Sequence, residues 1–357
     1  KVLMTYGGGS IRSNGVYDQV KAALAQCQVI EFGGIQPNPE YRTLMEAVRL
    51  ARAEKVDFLL AVGGGSVLDG TKFIAAAIPF EGEPWDIVQK GAEVKSAVPL
   101  GSVLTLPATG SEANPFAVIS RSETGEKLAF SSPHVYPKFS VLDPETTFSL
   151  PPRQVANSIV DAFVHTMEQY LTFPANAELN DRFAESILQT LIEIGPKTLA
   201  NPTDYDARAT FVWTATMALN GLIGCGVPQD WATHMIGHEL TALYGIDHAR
   251  TLAVVAPHLY RVLRRDKAAK LLQYGERVWG IREGSEEERI EAAIRRTEEF
   301  FESLGVPTRL ARYDGVRPET PREVAQRLKQ RGMEKLGERG AVAPPVVEEI
   351  LQRSLAA

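Results

Sequence analysis

The feature that most constrains this chain is an abrupt change of grammar at Ser149-Leu150-Pro151-Pro152. Before it, short β-rich runs alternate with amphipathic segments; after it, long helical patterns follow one another with no strand between them. The first pattern belongs to βαβ units and a mostly parallel sheet, because parallel strands need a crossover helix to bring the chain back. Proline is favoured at a helix start and restricts the residue before it, so the tandem prolines mark a boundary. A chain of 357 residues also exceeds what one core organises. The expected architecture is a Rossmann-like α/β domain over residues 1–150 and an all-α domain over residues 151–357.

Within the first part, Val2–Tyr6 reads as a strand ending in Gly7-Gly8-Gly9-Ser10, and Val29–Phe32 as a second, closed by Gly33-Gly34. Glu40 to Lys55 carries Leu44, Ala47, Val48 and Ala51 at helical spacing. Val56–Val62 is a near-continuous apolar strand running into Gly63-Gly64-Gly65-Ser66, then a helix through Asp69 and Lys72. Val98–Pro107 and Phe139–Asp143 complete the strands, the latter read as the last. In the second part, helices are expected over 152–171, 177–199, 207–221, 229–244 and 249–263. Amphipathic helices without evident chemistry follow in 283–302 and 318–355.

A strand that ends in glycines and opens a helix with serine is a phosphate cradle. The backbone approaches closely, and the helix start offers free N–H groups and the positive end of its dipole. Neither loop matches G-x-G-x-x-G, and no G-K-[ST] follows, which sets aside the ordinary dinucleotide fingerprint and the P-loop. Enzymes preferring NAD place an acidic side chain near the ribose 2′-hydroxyl. Gly7, Gly8, Gly9 and Ser10 offer none and Arg12 follows, so the loop favours NADP(H).

The chain has six His, and four fall in two segments, D161-A-F-V-H165 and H234-M-I-G-H238 continuing to H248. Asp161 and His165 are one helical turn apart and share a side. A set of imidazoles and a carboxylate without thiolates suits a catalytic divalent ion, Zn²⁺ or Fe²⁺, better than a structural zinc. Spacing does not choose between His234 and His238 as ligand.

Composition narrows the classes further. The net charge of −6 gives no basic face for nucleic acid, and no apolar run approaches the ~20 residues needed to span a bilayer. Two distant cysteines, Cys27 and Cys225, imply no disulfide framework and fit a cytoplasmic location. No signal peptide is visible.

Together these segments resemble the iron-containing alcohol dehydrogenase family, in its butanol-dehydrogenase-like branch of NADPH-dependent aldehyde reductases. The carriers are G63-G-G-S-V-L-D-G-T-K72, T105-L-P-A-T-G-S-E112, D161-x-x-x-H165 and H234-x-x-x-H238-x₉-H248. The resemblance spans nearly the whole chain. It implies a dehydroquinate-synthase-like fold whose α/β domain binds NADP(H) and whose helical domain holds the metal and the substrate. It implies Asp161, His165, His234 and His248 as metal ligands, with His238 facing nicotinamide and substrate as the catalytic residue. It assigns Asn38 to the adenine-side ribose and Gly64, Gly65, Ser66 and Asp69 to the pyrophosphate. Thr105, Thr109 and Ser111 match the nicotinamide loop, and Lys127 the nicotinamide ribose. The activity implied is hydride transfer between NADP(H) and small aldehydes or primary alcohols, in a homodimer.

Two departures from the family pattern stand out. Leu106-Pro107-Ala108 replaces part of the commoner P-T-T-A-G-T-G-S-E run, and a leading strand and helix are absent, so Val2–Tyr6 is expected to lack a sheet neighbour. The rival readings are a dehydroquinate-synthase-like lyase, a glycerol-dehydrogenase-like polyol oxidation and a metal hydrolase. The apolar residues around the metal motifs, Phe163, Val164, Met235, Ile236 and Leu240, argue against a phosphorylated acidic or polyol substrate. Two glycine loops argue against a hydrolase.

Overall fold

A computed structural model describes residues 1–356. The chain forms two compact units, Lys1–Leu150 with Pro202–Thr216, and Pro151–Asn201 with Met217–Ala357. The first unit therefore takes in a later stretch of chain that nothing in the apolar pattern singles out.

In the first unit the strands are β1 (Val2–Tyr6), β2 (Val29–Phe32), β3 (Phe58–Gly64), β4 (Leu100–Leu106), β5 (Phe116–Arg121), β6 (Glu126–Ser131) and β7 (Ser140–Val141). Five of them form a parallel sheet in the order β2-β1-β3-β4-β7. The expectation that Val2–Tyr6 lacks a neighbour is corrected: Val2 pairs with Val29 on one side and Phe58 on the other. The β1 strand is interior to the sheet, which explains why Leu3 and Met4 are fully buried.

Leu59 to Val62 are buried on both faces, as their unbroken apolar run requires. Helix Tyr41–Glu54 buries Leu44, Ala47, Val48 and Ala51, the four positions its periodicity marked. The β5–β6 pair is an antiparallel hairpin outside the main sheet, and it is absent from the sequence reading. Its alternation is shallow: Ala117 and Ile119 point inward while Val118 and Ser120 stay half-buried. The strand expected at Phe139–Asp143 shortens to two residues at the edge.

The second unit is helical, with Pro152–Tyr170, Glu178–Ala200, Ala232–Tyr244, His248–Val262, Ala268–Trp279, Glu286–Ser303, Thr320–Gln330 and Pro344–Leu355. Helix Pro152–Tyr170 is its axis, buried continuously from Ser158 onward. A helix buried on all sides belongs in the middle of a bundle, and this one carries Asp161 and His165 inward with it. No helix of the described residues is long and apolar enough to cross a membrane.

Candidate active site

Three helices deliver the metal motifs to one point in the second unit. Asp161 and His165 come from Pro152–Tyr170, His234 and His238 from Ala232–Tyr244, and His248 opens His248–Val262. Asp247, just before that helix, accepts from Arg153 Nε and Asn157 Nδ2, each at 2.8 Å, which ties His248 to the turn preceding Asp161.

The Nε2 atoms of His165, His248 and His234 lie 3.6, 3.8 and 3.9 Å from Asp161 Oδ1. Those separations are too long for hydrogen bonds. They suit neighbouring ligands on one ion, since a tetrahedron with bonds of ~2.1 Å has edges of about 3.4 Å. Asp161, His234 and His248 form the tightest group, their ligand atoms all within 4.8 Å of one another. Asp161 Oδ1 is buried and accepts no hydrogen bond from the protein. A buried carboxylate oxygen left so among imidazoles costs free energy unless a cation meets it. The donor set therefore fits a divalent ion.

His238 is buried, with its ring centroid 5.1 Å from that of His248 and 6.3 Å from that of His234. It stands beside the ligand group and outside the tight trio. Trp231 flanks the same point, 5.3 Å from the His234 ring and 6.2 Å from the His165 ring.

One member of the centre escaped the sequence reading. Glu168, fully enclosed, is hydrogen-bonded to His234 Nδ1 and accepts from the backbone N–H groups of Thr233 at 2.7 Å and His234 at 3.4 Å. Burial and nearby Asp230 push its carboxyl well above the usual range. Its partnership with Nδ1 holds the ring so that Nε2 of His234 faces Asp161. The signal was present as spacing: Glu168 follows Asp161 by seven residues, two turns along the same face.

In the first unit, Gly7, Gly8 and Gly9 follow β1, and Ser10 starts a short helix. Gly9 has φ 106°, a conformation that side chains avoid, whereas a Cβ on Gly8 meets nothing within 4 Å. The structure also brings up a carboxylate that the sequence reading passed over. Glu31 on β2 accepts from Lys21 at 2.8 Å, Tyr17 at 2.8 Å and Arg12 at 3.3 Å. Its charge is thereby offset by two cations, and Arg12 stacks 3.9 Å from the Tyr17 ring.

The second loop opens helix Gly65–Ala77 with no side-chain cap, so the first-turn N–H groups face outward as an anion cradle does. Gly65 is required by packing, because a Cβ there would come within 2.6 Å of Thr109. Ser66 Oγ accepts from Asn38 N at 3.3 Å, and Lys127 donates to Asn38 Oδ1 at 2.9 Å, so these three residues are neighbours. Asp69 and Ser111 also meet: Ser111 Oγ donates to Asp69 Oδ1 at 2.6 Å, while Val118 N donates to Oδ2 at 2.9 Å. The Asp69 carboxylate is thus turned toward the Ser111 segment, and burial raises its pKa despite Lys72. Thr105 lies buried on β4.

Two family profiles cover the chain: "Iron-containing alcohol dehydrogenase" over residues 1–144 and "Fe-containing alcohol dehydrogenase family, C-terminal" over residues 155–353. The NADPH-dependent aldehyde reductase YqhD of Escherichia coli K12 is 61% identical over 355 residues, covering 99% of this chain and 92% of the relative. A crystal structure of E. coli K-12 YqhD superposes with a TM-score of 0.97 at 60% identity, over 99% of this chain and 91% of that one. The NADH-dependent butanol dehydrogenase A of Thermotoga maritima gives 0.95 at 36% identity, over 100% and 91%.

Proposed function

Because the chain belongs to the iron-containing alcohol dehydrogenase family, we propose that it is an aldehyde reductase transferring hydride from NADPH to small aldehydes, and in reverse from primary alcohols. The observation that carries this is the approach of three imidazole Nε2 atoms to the unbonded Asp161 Oδ1 at 3.6–3.9 Å. When bound, a divalent ion supplies Lewis acidity to the substrate carbonyl and NADPH supplies the hydride.

The protein's part is to hold and orient. Asp161, His165, His234 and His248 are the ligands, and three neutral imidazoles with one carboxylate cancel only one of the ion's two positive charges. Glu168 fixes the His234 tautomer. His238, one turn beyond His234, lines the substrate side and holds a proton for the alkoxide oxygen. Gly64, Gly65 and Ser66 receive the pyrophosphate at the helix start, Asp69 orders that helix against the nicotinamide segment, Asn38 meets the adenine-side ribose and Lys127 the nicotinamide ribose. Thr105, Thr109 and Ser111 shape the nicotinamide side. Gly7 to Ser10 receive the 2′-phosphate.

The working assembly is a homodimer, supported by the edge strand β7 with exposed Val141 and, just before it, exposed Phe139. A cytoplasmic location is supported by Cys27 and Cys225, both free thiols. The decisive assay follows NADPH oxidation at 340 nm with a short-chain aldehyde, alongside metal analysis of the same sample. Stoichiometric NADPH consumption that stops on metal removal and returns on reloading is expected. Aldehyde-independent consumption, or full rate without metal, would overturn the reading.

A further inference from the structure

Lys72 is fully buried and has no part in the chemistry above. It lies seven residues into helix Gly65–Ala77, about 10 Å from the end that receives phosphate. Its ammonium turns instead to the segment after β4. Nζ donates to Ser111 Oγ at 2.8 Å, Asn114 O at 2.8 Å, Asn114 Oδ1 at 3.1 Å and Phe116 O at 2.8 Å. Ser111 Oγ donates its own hydrogen bond to Asp69, leaving its lone pairs to Lys72. Asn114 Nδ2 donates to Thr109 O at 3.1 Å, and Ser111 N to Thr109 Oγ1 at 3.3 Å, so the grip reaches Thr109 against Gly65.

We propose that Lys72 is a positioning residue whose ammonium holds Thr109 to Phe116 in the shape that receives the nicotinamide half of the cofactor, and that loss of its proton releases that hold. The inference rests on the reading of the chain as an NADPH enzyme. Four acceptor atoms surround Nζ. An ammonium serves them with three hydrogens, whereas a neutral amine has two and turns a lone pair toward an acceptor. The titratable groups facing it are Asp69 on its own helix and Glu112 in the turn Ser111–Ala113, with Lys127 acting on Asp69. Burial outweighs both carboxylates and lowers the Lys72 pKa to about 8.

The sign of the linkage separates this role from a structural one. The pKa falls from 10.5 in the unfolded chain to about 8 in the folded one, so holding the charge costs the fold stability below about pH 8. Between these values the Lys72 contribution to stability rises with pH. Cofactor affinity falls over the same window, so the two move in opposite directions.

The experiment titrates NADPH into the metal-loaded full chain by fluorescence from pH 6.5 to 10, with thermal melts at each pH, for wild type and Lys72→Met. Wild-type affinity is expected to fall reversibly by about tenfold above pH 8, the scale of losing a charged hydrogen-bond donor. The melting temperature should not fall in parallel. Lys72→Met is expected to bind about tenfold more weakly at pH 7 and to show no further loss to pH 9.5. Tight wild-type binding that is flat with pH, or a folded variant binding like wild type, would overturn the inference and leave the enzyme reading intact. No NADPH binding by wild type at pH 7 would overturn both. A variant that does not fold leaves the wild-type profile to decide.

Discussion

In the proposed metal centre three imidazoles and one carboxylate oxygen share the ion, and their separate duties predict separable phenotypes. His234→Ala is expected to lose bound metal and activity together, read by metal analysis and NADPH oxidation; full occupancy in that variant would remove His234 from the ligand set. Glu168→Gln should keep the fold and lose about 10–100-fold in metal affinity, because the partner that orients His234 is weakened and the ligand is not removed. His238→Ala is expected to keep the metal and lose kcat, with the change concentrated where protonation of the alkoxide limits turnover. Unchanged kcat in the fully metallated variant would reduce His238 to packing. On the cofactor side, Gly8→Asp has room for its side chain and places a negative charge where the 2′-phosphate is proposed to sit. The ratio of kcat/KM for NADPH over NADH should invert. What the sequence disclosed at this scale were the types and spacing of the residues that the structure gathers around Asp161. The roles of Glu168 and Lys72 were missed because a charged residue inside a buried helix declares at most a spacing, as Glu168 does seven residues after Asp161. Its role is set by the neighbours it meets, Nδ1 of His234 in one case and the Ser111 segment in the other.

Helix Ala232–Tyr244 has to hold two histidines steady, and it is fastened at several points. Asp230 Oδ1 accepts from Ala232 N at 2.8 Å, while Lys267 meets Asp230 Oδ2 at 2.7 Å and Glu338 at 3.0 Å. Burial alone would raise the Asp230 carboxyl, but Lys267 prevails and holds it lowered. Further along, buried Glu239 is held by Arg327 at 2.6 Å and by Arg331. Gly237 allows Thr251 to approach, since a Cβ there would come within 2.7 Å of its hydroxyl oxygen. Removing both guanidinium groups in Arg327→Ala/Arg331→Ala strands a buried carboxylate, and a loss of about 3–5 kcal/mol in urea unfolding is expected. A change below 1 kcal/mol would show the pair to be dispensable. The charged C-terminal helices, in which the sequence shows only amphipathic periodicity, thus supply the clamp on the metal helix. Periodicity told where the helices run, but partner choice between distant helices leaves no trace in spacing. The β5–β6 hairpin was obscured for a related reason, because its inward face is only two residues deep.

For the molecule as a whole, metal binding is expected to couple to folding. An ion that binds only the folded chain stabilises it by about 2.7 kcal/mol at a hundredfold excess over Kd. Chelation should therefore lower the melting temperature of the wild type and leave His234→Ala unaffected; equal shifts in both would point to another site. A different consequence comes from the route of the chain, which leaves the first unit at Leu150 and returns through Pro202–Thr216. The returning stretch carries the hydroxyl of Thr216, which donates to buried Glu112 at 2.5 Å. Emerging from the ribosome, the N-terminal half is a body still missing one of its pieces, although N-terminal domains ordinarily fold first. Nascent chains arrested after Leu150 should remain protease-sensitive, with protection arriving only once Thr216 has cleared the exit tunnel. Translation, by this route, makes the two units finish almost as one.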